Sequence, residues 1–228
     1  APVRRAGFSS APPPAQYAQR LSQALMRRDE TEASDLLREA QAIFDLMTIF
    51  MQIVGPALVE IGEAWYNGRI RVTTEHFASA FLRGRMLTLL QAYPSRRNAP
   101  YILLGGAPTE QHELGPLMLS VLLRSLGYRV EFLGPDIPVD DLVDYASYEH
   151  PAMIVLSATT TPAALELKRM QEKLRKLRSA PIFGYGGMAF DLNPELREKI
   201  PGNYLGNTLE LAVQNIKELL SRGGKKPL

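Results

Sequence analysis

The sequence predicts a protein in two parts: a four-helix bundle, followed by a five-stranded, parallel, doubly wound α/β domain of the Rossmann-like or flavodoxin-like type. Two observations support this prediction. Apolar residues recur with a helical period through residues 15–94, and short apolar runs alternate with helical patterns through residues 101–222. The polar, proline-containing segment 95–100 between them is the predicted interdomain linker.

The composition is that of a globular chain. Of its 228 residues, 46% are hydrophobic and 22% are charged, which is enough for two cores. The sequence has no cysteine, which is compatible with a reducing cytoplasm, and no signal-peptide pattern; we expect a cytoplasmic protein with no membrane partner. With 26 basic and 24 acidic residues the charge is nearly balanced, which argues against DNA binding by this chain alone.

Each predicted helix of the first part has an apolar face. These faces span residues 17–25, 36–44, 46–65 and 77–90. Gly55 and Pro56 either start a new helix or kink the third one. Residues 1–14, rich in proline and serine, predict a linker, and residues 223–228 a tail. Because there is no initiator methionine, we expect a fragment that follows a removed module; proteolytic maturation is the alternative.

The strands of the second part are expected at 101–106, 129–133, 152–157, 181–185 and 203–206. In such sheets ligands bind at the carboxyl ends of the strands. Three of these ends have informative residues: His112 follows the first strand, Ser157 and Thr159 end the third, and Gly186 and Gly187 follow the fourth. We expect these ends to line a slot for a bulky ligand.

The loop after the first strand reads Glu110-Gln111-His112-Glu113-Leu114-Gly115. A neutral imidazole can coordinate a metal through one nitrogen while a carboxylate such as Glu110 accepts the N–H of the other. Gly115 would let backbone approach a large ligand. The alternative is a histidine that only caps the helix that follows.

This loop resembles the Asp-x-His-x-x-Gly loop of cobalamin-binding domains, with Glu110 in place of aspartate. The serine after strand three and the glycine pair after strand four match the same family, so the resemblance covers residues 101–220. It implies that His112 is the lower axial ligand of cobalt and that the nucleotide tail of the cofactor enters the slot. The residues that it assigns to the cofactor are Glu110, Gly115, Ser157, Thr159, Gly186 and Gly187.

The helical part contains a second signature, in which Trp65 is followed after nine residues by Glu75 and His76. This resembles CarH-like photoreceptors, MerR-family transcriptional regulators that hold adenosylcobalamin. The resemblance implies that Trp65 and Val72 pack against the adenosyl group, that Glu75 and His76 hydrogen-bond to it, and that the bundle caps the upper face of the corrin. Each residue also has an ordinary explanation, as a core aromatic, a packing valine or a polar group in a first helical turn.

The same resemblance implies a sensor without enzymatic activity. Light breaks the cobalt–carbon bond, a dark tetramer becomes smaller, and DNA binding changes through an N-terminal helix-turn-helix domain that is absent from this chain. Tyr66 departs from the family, whose well-known members place a histidine after the tryptophan. A second histidine ligand at that position is therefore impossible, and we expect a less locked lit state.

Three other classes are compatible with parts of this pattern. A methyl-carrying corrinoid protein shares the bundle and the histidine loop but needs no adenosyl pocket. A subunit of an adenosylcobalamin mutase needs a substrate-binding barrel, for which this sequence has no segment of sufficient length. A light-independent cobalamin sensor would retain every residue named above.

Overall fold

The computed structural model describes residues 12–223. Within them the chain forms two compact units, one extending to Phe81 and the other beginning at Leu82. Most of the predicted linker 1–14 and of the predicted tail 223–228 lies outside the described residues. The first helix begins at Pro14, inside the predicted linker, because proline at the first helical position loses no hydrogen bond and has a suitable φ. A linker role for residues 95–100 stays a prediction.

The first unit is helical, as predicted. Its helices are α1 (Pro14–Met26), α2 (Glu30–Ile43), α3 (Leu46–Thr48), α4 (Gly55–Tyr66) and the first part of α5 (Val72–Ala92). Helix α1 packs against α2 and α4, and its buried face includes Leu21 and Leu25. The ring of Tyr17 meets that of Phe44 edge-on at 5.8 Å. Burial of these apolar faces, at about 25 cal/mol per Å², is what holds the helices together.

The third helical run is continuous from Leu46 to Tyr66, but its hydrogen bonding changes in the middle. Residues Ile49–Val54 form a π-helix, and the Gly55 N–H donates to the carbonyl of Phe50. Pro56 has no N–H and its ring crowds the preceding turn, and the wider π turn accommodates both effects. This run is also long and apolar enough to span a membrane by length and composition alone, a weak indication that helices in globular cores share.

The second unit is a five-stranded parallel sheet in the order β2-β1-β3-β4-β5, which confirms the predicted fold class. The strands are β1 (Tyr101–Gly106), β2 (Arg129–Phe132), β3 (Met153–Ser157), β4 (Ile182–Gly186) and β5 (Asn203–Tyr204). The helices that connect and follow them are α6 (Leu114–Ser125), α7 (Val139–Glu149), α8 (Thr161–Glu166), α9 (Met170–Leu174), α10 (Ala189–Leu192), α11 (Leu196–Lys199) and α12 (Leu209–Gly223).

The register of the central strands brings their carboxyl ends to one place. Gly106 of β1 lies opposite Ser157 of β3, and Ser157 lies opposite Gly186 of β4. Within the sheet, β2 is the neighbour of β1 on one side and β3 is its neighbour on the other. In parallel sheets, a crevice lies beyond the carboxyl ends of two strands at which the strand order reverses in this way, here β1 and β3. The loops that follow these strands therefore meet at the ligand-binding edge of the sheet.

Candidate functional site

The loop between β1 and α6 has a fixed backbone. The Ala107 N–H donates to the Ser157 carbonyl at 2.9 Å, and the Asp136 N–H donates to the Glu110 carbonyl at 2.9 Å. Thr109 has φ +66°, a costly conformation for a β-branched residue, and its N–H donates to Asp136 Oδ1 at 2.7 Å. The surrounding structure thus holds a strained residue immediately before Glu110.

Glu110 is the centre of the site. Its side chain is only 1% exposed, and it accepts hydrogen bonds on both oxygens. Oε1 accepts from the backbone N–H of His112 at 2.8 Å and lies 2.6 Å from His112 Nδ1. Oε2 accepts from the Thr159 hydroxyl at 2.7 Å and from the Thr159 N–H. The Thr159 hydroxyl also lies 2.9 Å from His112 Nδ1, so the three side chains form one network.

The electrostatics of this network determine the tautomer of His112. Burial alone would raise the pKa of Glu110, but the hydrogen bonds from His112 and Thr159 outweigh it and hold the pKa at about 2. Glu110 is therefore an ionised, acceptor-only group at neutral pH, and His112 Nδ1 must carry the hydrogen that it receives. In the neutral imidazole this places the lone pair on Nε2, on a side chain that is 71% exposed.

The other predicted residues of the sheet edge lie at the expected strand ends. Ser157 and Gly186 end neighbouring strands, and Gly187 follows with φ +107°. A β-carbon at Gly187 would lie 2.4 Å from the carbonyl oxygen of Ala158, so the turn itself requires glycine there. A β-carbon at Gly115 would meet nothing within 4 Å, so the space beside that residue is open.

The predicted residues of the helical unit divide into two groups. Trp65 and Val72, which are 48% and 42% exposed, line one open pocket of about 510 Å³ together with Arg71. Glu75 and His76 follow in the first turn of α5, where His76 Nδ1 lies 2.6 Å from Glu75 Oε2. The structure therefore brings Trp65 and Val72 together and pairs Glu75 with His76.

Two polar interactions of the histidine loop were not predicted from the sequence. Asp136, within the loop between β2 and α7, supports Thr109, and Arg83 Nε donates to Glu113 Oε1 at 2.6 Å. The charge of Glu113 beside His112 was visible in the sequence, but its partner on α5 is 30 residues away and no periodicity indicates it.

An α/β domain that presents an exposed imidazole, oriented by a buried carboxylate, at the carboxyl edge of a parallel sheet has the features of the class of α/β domains that bind a cofactor at that edge. The comparisons with known proteins specify that class. Two stretches of the chain, residues 17–90 and 95–208, match the B12 binding domain. The chain therefore belongs to the B12-binding domain family, and its cofactor class is cobalamin.

Curated relatives of two kinds are similar to this chain. The HTH-type transcriptional repressor CarH of Myxococcus xanthus is 32% identical over 163 residues, which are 71% of this chain and 54% of the relative. The chain is thus a CarH-like cobalamin-binding protein, although it spans only about half the length of the CarH and CarA repressors. The dimethylamine corrinoid protein of Methanosarcina barkeri is 22% identical over 89% of this chain and 97% of its own length.

The fold has a counterpart among solved structures. The monomethylamine corrinoid protein of Methanosarcina barkeri superposes with a TM-score of 0.73 at 18% identity, over 89% of this chain and 98% of that protein. This likeness confirms the predicted succession of a helical part and a parallel α/β part.

Proposed function

We propose that this chain is the sensory part of a light-responsive transcriptional regulator whose cofactor is adenosylcobalamin. The observation that carries the proposal is the arrangement at His112, an exposed side chain whose Nδ1 lies 2.6 Å from the buried, ionised Glu110, so that the neutral imidazole has its lone pair on Nε2. A single imidazole suits a metal whose other positions are already filled, as those of cobalt are by the nitrogens of a corrin ring. Similarity to a transcriptional repressor supports the regulatory role.

The residues around His112 fit so large a cofactor. The space beside Gly115 is open, so that a large ring can approach its backbone. Ser157 contributes a hydroxyl group at the end of β3, and Thr159, whose hydroxyl donates to Glu110, follows it; the turn at Gly186 and Gly187 contributes only backbone at the end of β4. In this proposal these residues bind the cofactor, and Glu110 holds His112 in place.

The helical unit supplies the selectivity for the adenosyl form in this proposal. When bound, adenosylcobalamin supplies a cobalt–carbon bond that visible light cleaves. We assign contact with the adenosyl group to Trp65 and Val72, hydrogen bonding to Glu75 and His76, and coverage of the upper corrin face to residues 15–94. The half-exposed Trp65 and Val72 line one pocket, where a flat ligand would bury apolar surface.

The output of the proposed sensor is a change of assembly. By resemblance we propose a homotetramer in the dark and a smaller species in the light, with DNA bound by an N-terminal helix-turn-helix domain outside this chain. The chain itself would catalyse no reaction. A cytoplasmic location and the lack of a membrane partner remain predictions.

One set of spectra and column runs tests the proposal. The chain is titrated with adenosylcobalamin in darkness, its visible absorption is recorded before and after green light, and both samples are run on a size-exclusion column. We expect stoichiometric binding and a light-dependent change of both spectrum and apparent mass. His112→Ala should abolish the imidazole-ligated spectrum, whereas His150→Asn, at an exposed helix end with φ +50°, should not. Failure of the chain to bind any cobalamin would overturn the proposal.

A corrinoid methyl carrier is the second candidate, because the match to the dimethylamine corrinoid protein covers nearly the whole of that protein. The two candidates differ in what Trp65 does. A sensor with an adenosyl pocket should bind adenosylcobalamin more tightly than methylcobalamin, and Trp65→Ala should remove this preference. Tyr148→Ala, at another exposed aromatic residue, is the matched control. Equal affinity for the two cobalamins in the unmodified chain would favour the methyl carrier.

Tyr66 gives a separate test of the lit state. It is 86% exposed at the end of α4, directly after Trp65. We expect Tyr66→His to change the absorption spectrum after illumination and to prolong the lifetime of the lit state. An unchanged spectrum and lifetime would contradict the role assigned to this position.

A further inference from the structure

An ion pair joins the histidine loop to helix α5. Arg83 Nε donates to Oε1 of Glu113, the residue directly after His112, at 2.6 Å. The Glu113 side chain is only 17% exposed. In the part of the chain that the structure describes, its second oxygen, Oε2, is buried and accepts no hydrogen bond.

The unpaired, buried Oε2 lowers the stability of the folded chain, so stability alone does not explain a carboxylate at this position. A buried acceptor without a partner is destabilising, and an ion pair whose arginine is 46% exposed adds little stability. A partly satisfied buried charge is therefore better explained by the position that it imposes on the chain. Glu113 fixes the carboxyl end of the loop, while Glu110 fixes its middle, so the two carboxylates flank His112.

Helix α5, which carries Arg83, is itself attached at its carboxyl end. Helix α5 ends at Ala92, and Arg124 of α6 donates to the carbonyl of Leu90 at 2.9 Å and to the carbonyl of Val130 at 2.9 Å. Arg83 therefore lies on a helix whose carboxyl end is attached, through Arg124 of α6, to β2. The single contact from Arg83 Nε to Glu113 Oε1 therefore connects α5 to the histidine loop, and we call this contact the strut.

We propose that Arg83 and Glu113 are positioning residues for the cobalt ligand: their ion pair sets the place of His112 and thereby the strength of imidazole coordination. The inference rests on the proposed role of His112. Helix α5 is also the helix that begins with Val72 and carries Glu75 and His76 in its first turn. The ion pair gives the helix with the predicted adenosyl contacts a direct connection to the loop of the lower ligand.

The first measurement uses the chain without cofactor, so that it does not depend on cobalamin. Hydrogen exchange of the loop amides, including the His112 N–H that donates to Glu110, is compared between the unmodified chain and Arg83→Met. We expect roughly tenfold faster exchange in the variant, because the loop loses one of its attachments. Arg38→Met, which breaks an exposed pair with Asp35, is the control and should leave the loop unchanged.

The second measurement reads the coordination itself. Electron paramagnetic resonance of the cob(II)alamin-loaded chain shows splitting from the imidazole nitrogen only where histidine binds cobalt. We expect Arg83→Met to lower the coordinated fraction by about twofold or more, Arg83→Lys to retain most of it, and the double variant Arg83→Glu with Glu113→Arg to restore it. Circular dichroism of each variant confirms folding before either measurement.

Failure of the proposed role of His112 and failure of the positioning role of Arg83 and Glu113 give different results. If the unmodified chain and His112→Ala give the same resonance spectrum, His112 does not bind cobalt, and the positioning role of Arg83 and Glu113 fails with it. If the splitting depends on His112 but Arg83→Met changes neither the coordinated fraction nor the loop exchange, the positioning role of Arg83 and Glu113 is overturned. Failure of the charge-swapped double variant to recover coordination would also count against it.

Discussion

Replacing Glu110 with glutamine isolates the contribution of one buried charge to this protein. The amide has almost the same shape but only one oxygen, so it cannot accept the four hydrogen bonds that Glu110 receives from His112 and Thr159. The NH₂ group of the glutamine would face the donors of either His112 or Thr159, which would then lack an acceptor. Leaving a buried donor without an acceptor costs about 1–3 kcal/mol. We expect Glu110→Gln to lower the free energy of unfolding by about 3 kcal/mol at neutral pH.

The lowered pKa of Glu110 expresses the effect of the same hydrogen bonds as a free energy. It is lowered from 4.5 to about 2 in the folded chain. A shift of that size corresponds to about 3 kcal/mol of stabilisation. Because the folded pKa lies below the unfolded one, the stabilisation is complete above pH 4.5 and is lost as the pH falls towards 2, where the unfolded chain has already taken up the proton.

Urea denaturation followed by circular dichroism measures this prediction. The unmodified chain should exceed Glu110→Gln by about 3 kcal/mol at pH 7 and by only about 1 kcal/mol at pH 3. Glu198→Gln, at an exposed position of the same unit, is the control and should show a difference near zero at both pH values. A difference between the chain and Glu110→Gln that is the same at pH 7 and pH 3 would refute the electrostatic reasoning.

Three further substitutions test the supports of the site. Gly187→Ala places a β-carbon 2.4 Å from a backbone oxygen at φ +107° and should lower stability by more than about 2 kcal/mol, whereas Gly62→Ala, with open space on α4, should raise it by about 0.5 kcal/mol, both by urea denaturation. Thr159→Val removes the hydroxyl that donates to Glu110 and should cost about 1 kcal/mol in the same assay; an equal loss in Thr159→Ser would contradict that role. Thr109→Asn should stabilise the chain by about 0.5–1 kcal/mol, because asparagine tolerates φ +66° better than threonine; a lower midpoint of thermal unfolding would argue against strain at this residue.

Periodicity predicted most of the secondary structure because it reports which faces are buried. The strand predicted at 101–106 from the apolar run that follows the linker has the same bounds as β1, Tyr101–Gly106. The strand predicted at 203–206 is shorter, Asn203–Tyr204, since an edge strand pairs on one side only. The π-helical segment Ile49–Val54 was missed because an apolar face does not reveal which carbonyl each N–H reaches.

The candidate site was predictable to the extent that its residues stand beside each other in the sequence. The pairing of Glu110 with His112 follows from their separation by one residue, and the strand ends at Ser157 and Gly186 follow from the alternation of strands and helices. The roles assigned to Trp65 and its neighbours remain predictions. The boundary of compact packing, after Phe81 and inside α5, has no signal in the composition, because a helix continues across it.

The sequence by itself determined the parallel α/β fold, the strand ends that meet at its ligand edge, and His112 with its carboxylate partner. These depend on local patterns of apolar residues and on groups within one loop. Only the tertiary structure decided that the Thr159 hydroxyl and N–H complete the shell of Glu110, that Asp136 holds Thr109 in a strained conformation, and that Arg83 pairs with Glu113. The physical reason is that these bonds join distant segments, and their existence depends on a register and a packing that no local pattern encodes.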